Sequence, residues 1–168
     1  MNSTKLGLLV AVLAGAWGCK DPDYDGNREK DAATGHRPSQ IEWGVIFLEG
    51  NKEKYPQDSA KAAQWFELAG TATNYTVKSG ESRWQVNVRF GIPLEVIREA
   101  NPEMDMNRIK GGEEILIPGA RIAQFNLGML YEQGKGVKKD LPSAAKWHTR
   151  AAKAGLADAQ FALGYLLE

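Results

Sequence analysis

Two short strings in this chain are near copies of each other. Ala123-Gln124-Phe125-Asn126-Leu127-Gly128 is echoed 36 residues later as Ala159-Gln160-Phe161-Ala162-Leu163-Gly164. That shift is the period of stacked helical hairpins, and it restricts the fold strongly, because such units bury their apolar faces only against one another. A second echo joins Asp58-Ser59-Ala60-Lys61-Ala62-Ala63-Gln64-Trp65-Phe66 to Asp140-Leu141-Pro142-Ser143-Ala144-Ala145-Lys146-Trp147-His148 at a shift of 82. Gly44 and Gly50 match Gly128 and Gly134 at a shift of 84, so the first copy has two extra loop residues. One helix pair occurs twice and a third copy begins. The expected class is mostly α, built from antiparallel helical-hairpin repeats in a small solenoid.

Each copy reads as two helices. In the second, Phe125, Leu127, Met129, Leu130 and Tyr131 form the first helix around Gly128, whose missing side chain lets a neighbour approach. Gln133-Gly134-Lys135-Gly136 ends it, and Asp140 caps the next helix, with Pro142 tolerated in its first turn. That helix carries Ala144, Ala145, Ala151 and Ala152 around Trp147, the expected core anchor, as Trp65 is in the first copy; His148 is read as a packing residue. From residue 123 to 155 the string resembles the Sel-one-like repeat, a relative of the tetratricopeptide repeat (TPR), with His148 where Tyr or Phe is usual. The first copy, residues 41–72, matches through Trp43-Gly44 and Phe47, with Asn51-Lys52-Glu53-Lys54 in place of the Gly-rich loop. The second copy spans residues 121–155. Residues 156–168 read as a partial third copy, a closing helix with Leu166 and Leu167 partly exposed.

Between Trp65 and Ala123 lie 46 residues more than between Trp147 and Ala159, so another module interrupts the repeats. Tyr75-Thr76-Val77-Lys78 alternates like a strand, and Ser79-Gly80-Glu81-Ser82 makes a turn and a helix cap. A helix over residues 83–90 follows, with Trp84, Val86, Val88 and Phe90 as its apolar content and Gly91 as its stop. Pro93 opens a second helix ending at Asn101-Pro102, and Glu113-Glu114-Ile115-Leu116-Ile117 is a strand closed by Pro118-Gly119. This βααβ order over residues 74–119 looks like a LysM domain, a small α+β module, through Tyr-Thr-Val-Lys-Ser-Gly at its start, Phe-Gly-Ile-Pro-Leu-Glu in its middle and Ile-Leu-Ile-Pro-Gly at its end. Its strands are expected to pair and bring its ends together, which suits insertion into a loop.

The resemblance implies binding of N-acetylglucosamine-containing glycans, peptidoglycan or chitin, between two loops. The residues it assigns are Ser79, Gly80, Glu81, Ser82 and Arg83 on one loop and Asn101, Pro102, Glu103, Met104 and Ile109 on the other. Pro102, Met104 and Ile109 would offer an apolar floor, and backbone groups near Gly80 would meet N-acetyl and hydroxyl groups. Arg83 and Asn87 depart from the family's usual Leu and Ala. Asn87 is tolerated inside only if its amide finds partners.

The first eighteen residues read as a signal peptide, with Lys5 before the apolar stretch of residues 6–14. Cys19 resembles the lipidated cysteine of bacterial lipoproteins; cleavage after Ala16 with plain secretion is the rival reading. Both expect an exported cell-envelope protein, on the lipoprotein reading anchored to a bacterial membrane facing the periplasm. Residues 19–40 are expected to be a flexible tether, with His36 solvated in it.

Lys and Arg number 21 against 21 Asp and Glu, so nucleic acid finds no electrostatic footprint. One Cys and two His argue against a structural zinc site, and no metal or cofactor is expected. Glu95, Glu99 and Glu103 read as a solvated stripe, because a glycosidase pair needs a cleft holding its carboxyls about 5 to 9.5 Å apart. The reading is a non-enzymatic envelope protein that binds peptidoglycan through the LysM domain and docks an unidentified partner protein through the repeats, touching membrane only by its lipid. The alternative is a periplasmic adaptor whose LysM fold no longer binds glycan.

Overall fold

The computed structural model describes residues 30–50 and 54–166. The signal peptide, Cys19, Leu167 and most of the loop at Asn51 lie outside the described residues. Two helix pairs form the frame: α1 Arg37–Glu49 with α2 Ser59–Gly70, and α5 Arg121–Gln133 with α6 Leu141–Lys153, followed by α7 Ala157–Leu166. Their starts follow from the echoed aspartates. The Asp58 carboxylate accepts from the Lys61 N–H at 3.0 Å and the Asp140 carboxylate from the Ser143 N–H at 3.4 Å, each satisfying an amide with no partner in its own helix. Gly134 ends α5 in a left-handed conformation (φ 67°).

The two pairs bury the same positions. Ala62, Phe66 and Ala69 of α2 are completely buried, as are Ala144, His148 and Ala151 at the matching places on α6. Phe66 and His148, the residues after the tryptophans, are therefore the most deeply buried rings, with Trp147 also in the core. Trp65 is only half-buried, whereas Trp147 is buried as expected, with the Arg150 guanidinium over its ring 4.5 Å from the centroid. This corrects the expectation for Trp65: on a 3.6-residue period it falls 100° from Phe66, off the line to α1. On α7 the exposed apolar residues are Phe161 and Tyr165.

The inserted module has β1 Thr73–Thr76, α3 Arg83–Phe90, α4 Leu94–Glu99 and β2 Glu114–Ile117, the strands antiparallel with Tyr75 opposite Ile115. The first strand lies two residues earlier than expected, because pairing with β2 selects Thr73 and Asn74, and Val77 instead joins the loop through its N–H to the Glu113 carbonyl. Val77, Val86, Phe90, Ile97, Met106, Ile115 and Ile117 form its core. Of the apolar residues expected on α3, Trp84 and Val88 are exposed; the buried stripe carries Val86 and Phe90 only.

The chain leaves the solenoid and returns to it at one place. The Ala120 N–H donates to the Ala69 carbonyl at 2.9 Å, and Gln124 Nε2 donates to the Gly70 carbonyl at 2.9 Å. A Cβ on Gly119 would sit 1.8 Å from that carbonyl oxygen, so only glycine allows the return. Helix α2 consequently packs on α5 as consecutive repeats do.

Residues 30–40 correct the tether expectation. Residues 30–33 are helical, Ala32 is buried, and its carbonyl accepts from Gln40 Nε2 at 3.0 Å. His36 is half-buried as the N-cap of α1, its side chain accepting from the Ser39 N–H. Arg37 is 2% exposed and donates to the Pro118, Thr71 (2.9 Å) and Ile117 (3.2 Å) carbonyls, with the Phe90 ring beneath its guanidinium. Low hydrophobicity hid this: the segment is held by polar side chains reaching backbone carbonyls, not by an apolar face.

Candidate functional site

The loop after β1 is braced from within. The Glu81 carboxylate accepts from the Tyr75 hydroxyl at 2.6 Å, the Lys78 N–H at 3.1 Å and Arg89 Nε at 3.2 Å. Burial opposes its charge, but these three donors outweigh it and hold the carboxyl below its ordinary range. Tyr75 is pushed up to about 12, first by burial and then by its bond to Glu81. Gly80, at φ 75° with open space around it, turns the chain outward, and Ser82 caps α3 in a reciprocal capping box with Gln85. Ser79, Gly80 and Ser82 are thus presented to solvent on a fixed loop. Glu81 is part of the brace instead, its side chain only 5% exposed.

The second loop is tied from behind. Asn101 Nδ2 donates to the Ile97 carbonyl at 2.6 Å and the Leu116 carbonyl at 2.8 Å, and its Oδ1 accepts from the Leu116 N–H at 2.8 Å. Its amide is spent on joining α4 to β2, so it shapes the loop and leaves no group for a ligand. Met104 and Ile109 are half-buried against the core, whereas Pro102 and Glu103 are exposed.

Two contacts bring the loops together. Arg83 Nη1 donates to Asn107 Oδ1 across the gap, and a Cβ on Gly111 would stand 2.6 Å from Ser79 Cα. The Arg83 substitution therefore gains a partner in Asn107, which sequence reasoning missed; the signal was the Asp-x-Asn spacing, since the Asn107 N–H bonds the Asp105 carboxylate at 3.0 Å in a tight turn. Asn87 finds the partner its position requires in the Ile92 carbonyl at 2.7 Å. The result is two loops joined by Arg83 to Asn107 and by Gly111 against Ser79, offering backbone groups, exposed hydroxyls and the edges of Pro102, Met104 and Ile109.

Comparison with known proteins gives families for both parts. Residues 37–74, 121–156 and 157–168, together just over half of the chain, match the Sel1 repeat, and residues 75–118 match the LysM domain. The crystal structure of a Sel1 repeat protein from Oxalobacter formigenes is similar at 26% identity and a TM-score of 0.51, over 83% of this chain and 26% of that one. A protective antigen of uropathogenic Escherichia coli strains with an SLR fold aligns at 21% identity and a TM-score of 0.29, over 82% of this chain and 27% of its own. The chain thus spans about a quarter of the length of these solved structures. No curated protein sequence matches.

Proposed function

Because the chain belongs to the Sel1 repeat family and carries a LysM domain between its repeats, we propose that it is a non-enzymatic cell-envelope protein that binds peptidoglycan through the LysM loops and docks a partner protein through the helices. LysM domains are glycan-binding modules and Sel1 repeats are protein-interaction modules, and neither is typically catalytic. The observation that carries the glycan half is the loop brace: Glu81, Tyr75, Lys78 and Arg89 hold the first loop fixed while Ser79 and Gly80 stay exposed. A preformed site of this kind orders little on binding, which favours a weakly apolar, hydroxyl-rich ligand. Export rests on the apolar stretch at residues 6–14, and attachment by a lipid on Cys19 belongs to the same proposal.

The test is co-sedimentation with purified peptidoglycan sacculi. Wild type is expected in the pellet, with Ser79→Glu and Pro102→Glu left in the supernatant, since both residues are exposed and added negative charge at the loop rims disturbs only the ligand side. A wild-type chain that stays in the supernatant overturns peptidoglycan binding. The docking half is tested by cross-linking in intact cells, where a partner captured by α5 and α6 positions and lost on their substitution is the expected outcome.

A further inference from the structure

Trp84 is 68% exposed in the first turn of α3, in a module whose other aromatic residues, Tyr75 and Phe90, pack into the core. Val88, one turn on, is 49% exposed. At about 100° per residue the two share one stripe, with Arg83 and Asn87 on one flank and Gln85 and Arg89 on the other. The Arg83 flank leads to the loop groove, where Arg83 meets Asn107. The Gln85 flank falls into a cavity of about 370 Å³ whose far wall is Asp31, Thr34 and His36, the segment folded against the module from before α1. Trp84 stands as the ridge between groove and cavity.

We propose that Trp84 and this cavity form a second sugar subsite, taking a further pyranose ring of the same N-acetylglucosamine-containing chain that lies in the loop groove; this rests on the glycan-binding reading above. The chemistry at the ridge is that of a sugar ring. An indole face is negative and attracts the weakly positive C–H face of a pyranose, while the ring's equatorial hydroxyls need donors and acceptors around the edge. Those are present: the Gln85 side-chain oxygen is taken by Ser82, leaving its amide nitrogen as the donor, while across the cavity the Thr34 hydroxyl, which donates to the Asp31 carbonyl, keeps an acceptor lone pair beside the Asp31 carboxylate. The cavity's volume lies in the range of about 300 to 1,000 Å³ typical of small-ligand sites. A dry protein interface would want apolar neighbours where this rim carries Asp31, Gln85 and Arg89.

The full chain is titrated by calorimetry with N-acetylglucosamine oligomers from dimer to hexamer, and tryptophan emission is followed in parallel. The wild type is expected to gain affinity between trimer and hexamer. Trp84→Ala keeps the trimer affinity, loses about tenfold on the hexamer and loses the hexamer-induced emission shift, and Trp84→Phe restores most of the affinity. Equal hexamer binding by Trp84→Ala and wild type, with Pro102→Glu deficient, overturns the subsite and leaves the groove reading standing. Equal loss on every oligomer also overturns it, by making Trp84 part of the groove. Absence of binding to any oligomer by the wild type removes both readings.

Discussion

His148 lies so close to Gly128 that a Cβ on the glycine would stand 2.6 Å from ring carbon Cε1; the first repeat has the same relationship, with a Gly44 Cβ 2.5 Å from Phe66 Cε1. Glycine on the first helix and a ring on the second set the spacing of each hairpin. The third copy keeps the glycine as Gly164, where a Cβ meets nothing within 4 Å among the described residues.

Gly128→Ala and Gly44→Ala are therefore expected to destabilise the fold by about 1 to 3 kcal/mol, since the obstructing atoms belong to fully buried rings with nowhere to move. Gly164→Ala is expected to be neutral or to stabilise by up to about 1 kcal/mol through helix propensity alone. Urea denaturation of the three variants checks the contrast.

Acid is expected to weaken the second hairpin through His148. Both its ring nitrogens are buried without a hydrogen-bond partner, and the Glu132 carboxylate is 3.7 Å from Nε2. Burial lowers its pKa below the ordinary 6.5, outweighing the opposite pull of Glu132. In the unfolded chain the imidazole takes up a proton more readily than in the folded one, so the stability is intact above about pH 6.5 and declines as pH falls from there toward the depressed folded value. His36 is shifted the same way, first by burial. The difference between wild type and His148→Phe, compared by urea denaturation at about pH 7.5 and about pH 5, isolates His148; equal slopes would remove it as the cause.

Arg37→Ala is expected to cost about 3 kcal/mol or more, because three carbonyls lose a charged donor and at least one is buried. Burial draws this guanidinium down to about 10, yet it stays charged at neutral pH. Arg37→Lys recovers little, since one ammonium cannot reach three carbonyls that a fork spans. Amide exchange read at Ala120 and at the strands should rise in both variants.

Asn101→Ala is expected to lower the melting temperature of the inserted module by removing three hydrogen bonds, at about 1 to 3 kcal/mol for the buried groups left unpaired. Any loss of glycan affinity in that variant should vanish when binding is measured at a temperature where it remains folded. Affinity lost by a folded Asn101→Ala would mean the side chain reaches the ligand.

The repeat frame was legible because its signals are local and periodic: the echoed Asp58 and Asp140 cap their helices, and Gly134 stops the one before. The strand-helix-helix-strand order of the insert was legible for the same reason. What escaped was long-range. Nothing near Arg37 in sequence marks it as buried, since its carbonyl partners lie 34 to 81 residues away. Asn101 and Glu81 carried polar side chains in expected binding loops, and only the fold reveals that those side chains are consumed in holding the loops. Trp84 counted in the sequence only toward the apolar content of α3, and its exposure follows from where the buried stripe of that helix falls.

The joint at Ala69 and Ala120 also fixes how a pull on the loops would travel. The first loop leaves β1 just past Thr76, at the far end of the β1 and β2 ribbon, the second is joined to it through Arg83 and Asn107, and both strands end side by side at the solenoid under Arg37. Tension on a ligand held by the loops would draw the two strands in the same direction, so their mutual hydrogen bonds carry little shear. The load arrives at the α2 and α5 junction, where guanidinium, backbone amide and Gln124 act as one rivet, and it passes into two repeats at once instead of unwinding either from its end.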